Sequence, residues 1–459
     1  MDLIVKGGRL FTPKGSFGAD IGVADGRIVA LAADLPVDGA KVLDATGRWV
    51  FPGGVDVHCH LPWPSRQVLS GDDVRSGTLA AICGGVTTLL DFVIPEPGEG
   101  LVDALERKLE EASRGLYADY GAHVCIREVT PANLAQISTL VERGFPSFKV
   151  FLAYEGFRLE DDQVLQVMEV VHAAGGILSV HAENGLLADR ATRELVSQGL
   201  VSLDHYPASR PAICEHEAIG RCVHYAQAVG VPLHIHHVST AQGAALVGYA
   251  RRHGLDVSGE TCPHYLLFTD EVYRAEGIEA TYLVIAPPLR TPGDQEALWQ
   301  ALASDALSMV ATDHCPYSRA QKAAGIADFT QVPGGTAGVE TRWPLLFTEG
   351  VAAGRMTPER LAAVWAFNPA RRFGLYPRKG SPAVGSDADL VVVDPHRESV
   401  ISAAALHMHV DYSVYEGKPV KGFPLTTVLR GRVVAVDGQP VAEPSGQVIL
   451  RDRPLRMEG

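Results

Sequence analysis

The sequence predicts an α/β protein: a (β/α)8 TIM barrel carrying a small β-sandwich domain formed by both chain ends. Three observations point there. The chain has 459 residues, 46% hydrophobic and 20% charged, which is ample apolar material for one large core. Its middle alternates strand and helix texture eight times, the count at which a parallel sheet closes on itself. Its two ends share a different texture, of short strands broken by Gly and Asp turns.

Taken in order, residues 3–11, 20–24, 27–31 and 41–43 read as strands. Asp25-Gly26 marks a hairpin, because a primed two-residue turn needs positive φ. The barrel strands are expected at 50–61, 86–94, 120–126, 145–153, 177–184, 232–239, 256–267 and 307–315. Between them 101–115, 132–144, 161–175, 241–254 and 294–306 carry helical apolar spacing, most of them stopping at Gly. Residues 377–385 look like a linker back to strands at 388–394 and 426–436. The expected division is 1–53 with 376–440 as the β-domain, 54–375 as the barrel and 441–459 as a C-terminal tail.

The formal charge of −14 and the absence of a concentrated basic run argue against a nucleic-acid partner. The seven cysteines are odd in number, scattered and never spaced as CxxC, so a disulfide framework or structural zinc knot is not expected. The opening residues lack a signal-peptide pattern, and the apolar runs are short. No membrane association and a cytoplasmic location are therefore expected.

In Val55-Asp56-Val57-His58-Cys59-His60 two histidines stand two apart on an apparent strand, so both imidazoles leave the same face. His234/His236 and His407/His409 share that spacing, and any such pair alone is more often packed or solvated than metal-bound. Position adds weight. His58 and His60, Lys149, His181, His237 and Asp313 recur towards the C-terminal ends of expected strands, where barrels build active sites.

Lys149, inside the apolar Ser147-Phe148-Lys149-Val150-Phe151, is the odd member, since a buried ammonium is costly. One reading is a snorkelling or ion-paired side chain. The other is a neutral amine that reacts with carbon dioxide, giving a carbamate whose two oxygens bridge two cations.

These residues resemble the amidohydrolase superfamily and, within it, the dihydropyrimidinase and hydantoinase family. The likeness rests on runs 51–60, 147–154, 181–184, 259–263, 287–290 and 312–316, and extends through 374–380 and 384–390. It implies that His58, His60 and Asp313 hold one divalent metal, His181 and His237 hold a second, and carboxylated Lys149 bridges them. His234, His236, His407 and His409 are then not ligands, while Glu183 and His314 are candidates for orienting one. Imidazole and carboxylate donors suit zinc.

By the same resemblance the chain is a cyclic amidohydrolase that opens 5-substituted hydantoins or dihydropyrimidines to N-carbamoyl amino acids. Asp313 would shuttle the proton, and Tyr154 would donate to the developing oxyanion. Leu61, Trp63, Ala286 and Gly334 would contact the ring and its substituent. Pro62 stands where dihydroorotase-like relatives carry an arginine, which disfavours a carboxylated ring. Two departures bear on the ring: Ala286 replaces the usual Ser before Pro-Pro, and Gly334-Gly335 replaces Asn-Gly. The latter and Cys262-Pro263-His264-Tyr265 look somewhat like allantoinases, the in-class alternative. A metal-free scaffold protein is the other. The resemblance also implies a homotetramer, with the tail packing on a neighbour.

Overall fold

The computed structural model describes residues 1–456. Eight parallel strands follow one another around a ring: Gly54–Cys59, Val86–Val93, Asp119–Cys125, Ser147–Phe151, Ile177–His181, Leu233–Ile235, Val257–Thr261 and Met309–Val310. The ring closes where the first and eighth strands meet, by a parallel bridge between Cys59 and His314 and a hydrogen bond from His60 N to His314 O of 2.9 Å. The strands are buried on both faces, which is why they read as near-continuous apolar runs rather than alternating ones.

Helices pack outside the barrel strands. The expected ones appear as Leu101–Ala112, Pro131–Glu142, Asp161–Ala174, Ala241–Arg252 and Pro292–Ala303. Asp161–Ala174 ends at Gly175, whose φ of 77° is the left-handed cap that glycine tolerates best. Val74–Cys83, Gly185–Ser197 and Ala212–Val229 supply further crossovers.

Several strand expectations shorten: 145–153 to Ser147–Phe151, 177–184 to Ile177–His181 and 232–239 to Leu233–Ile235, which leaves His237 just past its strand. Three more change further. The run 50–61 is two strands, Trp49–Pro52 in the outer sheet and Gly54–Cys59 in the barrel. The chain crosses between sheets at Gly53, where a Cβ would collide with Thr87. The run 256–267 stops at Thr261 because Pro263 opens the short helix Pro263–Leu267. The run 307–315 keeps only Met309–Val310 as strand, since Asp313 has a φ of 50° and turns the chain inward.

The chain ends form one continuous nine-stranded mixed sheet. It folds over so that Arg27 bridges Asp387, enclosing a core of its own that includes Leu3, Ile21, Val50 and Leu390. Asp25 and Gly26 have φ of 50° and 75°, the turn their dipeptide implied. The tail runs along its own barrel: Tyr120 N donates to Gln447 O at 2.8 Å, and Arg451 N to Gly144 O at 3.0 Å. All seven cysteines are free and buried. Among the described residues no helix is long and apolar enough to cross a membrane.

Candidate metal centre and its cavity

The centre lies at the C-terminal mouth of the barrel. His58 Nε2 and His60 Nε2 each stand 3.0 Å from the same oxygen of Asp313. Beside them His181 Nδ1 is 2.8 Å from His237 Nε2, and the His58 and His237 ring centroids are 5.3 Å apart. Lys149 is 1% exposed, with its Nζ 5.1 Å from the Phe92 centroid and 5.0 Å from that of Phe151. Burial, with the Lys149 charge adding to it, lowers the pKa of His60, His181 and His237. These side chains occupy one electrostatic neighbourhood.

Among the described residues no carboxylate lies within ion-pairing distance of Lys149, and burial lowers its pKa to about 8. Burial opposes charge on His58 too, but Asp313 and Glu260 outweigh it and raise the imidazole to about 9. Asp313, which burial alone would raise, is held well below the carboxylate range by His58 and His60.

Two buried carboxylates orient the histidines from behind. Glu260 accepts from His58 Nδ1, from His236 Nδ1 at 2.8 Å and from His234 Nε2 at 3.1 Å. Glu183 accepts from His181 Nε2 at 2.8 Å and from Arg210 NH2 at 2.6 Å. A carboxylate behind an imidazole fixes its tautomer and leaves the other nitrogen aimed forward. His314 is tied away from the cavity: its Nε2 donates to Asp72 at 2.9 Å, and its Nδ1 accepts from Gly338 N at 3.1 Å. His407 pairs with Glu340 at 2.8 Å, and the side chain of His409 is 62% exposed.

Backbone strain concentrates here. Tyr154, His237 and Asp313 have φ of 72°, 37° and 50°. Each costs on the order of 1–3 kcal/mol for a non-glycine residue and persists only where surrounding structure enforces it. The Tyr154 ring lies 4.9 Å from that of His181, with the Arg210 guanidinium 5.0 Å from its centroid.

The six expected ligands and Tyr154, Trp63, Ala286 and Gly334 line one cavity of about 850 Å³. Leu61 does not face it. It is 1% exposed and packs against Gly77, where a Cβ would strike its side chain, so the expected ring contact gives way to a core one. Sequence reasoning missed the placement of Glu260, Arg210 and Asp72. Glu260, like Lys149, is a charge on a buried strand, but its neighbours Ser258, Gly259 and Thr261 are small or polar, so no apolar contrast marked it. Arg210 and Asp72 lie on connecting segments with no periodicity to mark them.

A closed α/β barrel with histidines and carboxylates gathered at its C-terminal mouth is the architecture of a barrel enzyme with a metal-holding centre. Residues 49–434 match the amidohydrolase family, and the chain belongs to it. It is 39% identical over 455 residues to the D-hydantoinase of Geobacillus stearothermophilus, covering 98% of this chain and 97% of that one. Among solved structures it resembles a D-hydantoinase, with TM-score 0.96 and 38% identity over 99% of each chain. It also resembles the dihydropyrimidinase of Brevibacillus agri NCHU1002, with TM-score 0.97 and 33% identity over all of both chains.

Proposed function

We propose that the protein hydrolyses the cyclic amide bond of 5-substituted hydantoins or dihydropyrimidines, giving N-carbamoyl amino acids. The observation that carries this reading is the convergence of His58, His60, Lys149, His181, His237 and Asp313, from five barrel strands and the residues just past their C-terminal ends, on one cavity. The donor set fits two divalent cations, zinc by its imidazole and carboxylate chemistry. His60 Nδ1 and His237 Nδ1 are buried without a partner, so each ring's other nitrogen is its one working contact. Two imidazole nitrogens 2.8 Å apart likewise suit a shared cation. His58, His60 and Asp313 would hold one ion and His181 and His237 the other, with Lys149, carboxylated by carbon dioxide, between them.

Such a metal pair supplies Lewis-acid polarisation of a carbonyl and acidification of water. The chain's own residues do the rest. Asp313 takes the proton from the attacking water and returns it to the departing ring nitrogen, so the C–N bond breaks as a neutral N–H forms. Tyr154, held beside His181, donates its hydroxyl to the carbonyl oxygen as negative charge builds there. Its pKa, pushed up by burial, keeps it a proton donor at neutral pH. Trp63 and Phe151, ring centroids 5.9 Å apart, give the ring's substituent an apolar or aromatic wall. A homotetramer in the cytoplasm is part of the same reading, and sedimentation of the purified protein tests the assembly.

The deciding experiment is a side-by-side hydrolysis assay of 5-phenylhydantoin, dihydrouracil and allantoin, with metal content measured on the same preparation. Turnover of the first two by zinc-loaded protein is expected. Turnover of allantoin alone would change the ring, and inactive, metal-free protein would sink the enzyme.

A further inference from the structure

Residues 283–287 run along the cavity wall, and nearly every carbonyl in the run is taken. Tyr273 Oη donates to Leu283 O at 2.8 Å, Lys322 Nζ to Val284 O at 3.1 Å, Tyr206 Oη to Ile285 O at 2.6 Å and Tyr265 Oη to Pro287 O at 2.7 Å. Among the described residues no donor reaches the carbonyl of Ala286. Ala286 is also the one residue of the five that is not buried, and it lines the cavity.

Lys322 has a second attachment. Its Nζ donates to Pro333 O at 2.9 Å, next to Gly334 on the facing loop, and Gly335 N donates to Val284 O at 3.0 Å. This amine is 0% exposed and has no carboxylate in ion-pairing distance among the described residues; two backbone carbonyls and the Tyr317 ring, 5.9 Å away, are its surroundings, and burial lowers its pKa to about 7. A buried polar group placed so is costly unless its contacts are kept.

We infer that Tyr206, Tyr265, Tyr273 and Lys322 are positioning residues. Their donors occupy the carbonyls around Ala286, so the single free carbonyl on this wall meets a ring N–H of the substrate. None of the four acts on the reacting bond. The inference rests on the proposed cyclic-amide reading, in which position 286 already contacts the ring, and adds the side chains that hold that carbonyl in place. It also accounts for a bare alanine at 286: the recognising group is backbone, and side chains elsewhere hold it in place.

The test uses Tyr206→Phe and Lys322→Met in the zinc-loaded protein. Each removes donors and keeps most of the side-chain volume. Initial rates with 5-phenylhydantoin are measured together with metal content and hydrogen exchange across 283–289. Faster exchange there, unchanged metal content and a KM raised about tenfold, as loss of one aligned hydrogen bond implies, with kcat little altered, is the expected result. If folded variants keep wild-type exchange in this segment, or wild-type KM, the inference is overturned. If Lys322→Met does not fold, Tyr206→Phe decides alone. Should wild-type protein leave the ring intact, the functional reading fails, and exchange in the two variants still decides whether these donors hold the wall.

Discussion

A lysine in the middle of an apolar strand is a local contradiction, and local contradictions are what a sequence displays best. Lys149 and His58 could be singled out because each sets a polar group on a strand buried on both faces, and His60 follows directly after the strand of His58. Glu260 belongs to the same class, yet its role depends on which strands stand opposite it, and register is not written in composition. If Lys149 carries the bridging carboxylate, Lys149→Ala abolishes turnover and lowers metal content, and short carboxylic acids restore part of both. Full activity in that variant would refute the bridge. Asp313→Ala tests the proton shuttle, with an expected loss of turnover of ~10²–10⁴-fold and a Tm close to wild type. A near-normal rate would return the proton to some other group.

At the scale of elements, apolar texture located the middle of every barrel strand and the bulk of the helices, but not the strand ends. The reason is physical. Texture reports burial, and burial continues past the last ladder hydrogen bond wherever the chain turns into the mouth of the barrel, as at 311–315. The split of 50–61 was hidden the same way, because both sheets bury their part of it. Two glycines mark the crossing. A Cβ on Gly54 would sit inside the indole of Trp365, whose Nε1 donates to Pro52 O at 3.1 Å. Gly54→Ala therefore overpacks the seam, and an expected destabilisation of about 1–3 kcal/mol is read by urea unfolding. An unchanged midpoint would mean that the indole has room to move.

For the molecule as a whole, shared β texture at the two ends signalled one outer sheet, but how that sheet is fastened to the barrel was not legible. The segment 377–385, which composition marks as a mere linker, carries the fastening. Lys379 Nζ lies 2.6 Å from Asp119 on the third barrel strand, and 2.6 and 3.0 Å from Asp389 and Asp387 beside the outer sheet. Asp119 also pairs with Arg430 and accepts from Gln447 N of the tail at 2.9 Å. Lys379→Met removes the cation that three buried carboxylates share, leaving Asp119 with Arg430 and Asp387 with Arg378 at 2.8 Å but Asp389 without a cation, and is expected to cost about 3–5 kcal/mol. The pH dependence follows from the signs of the shifts. Burial opposes the Lys379 charge, but the three aspartates outweigh it and raise its pKa above 10.5. Its contribution is complete below that unfolded-state value and falls away as pH rises beyond it. In acid, Asp119, held low by Lys379 and Arg430 against its burial, loses stability as it protonates. Asp389, raised chiefly by burial, works the other way, so the two partly offset. The alkaline side is the clean test. Measured by thermal unfolding, the Tm gap between wild type and Lys379→Met is expected to be wide near neutrality and to narrow above pH 10.5. A gap that stays constant across that range would show that the lysine's charge does not hold barrel and sheet together.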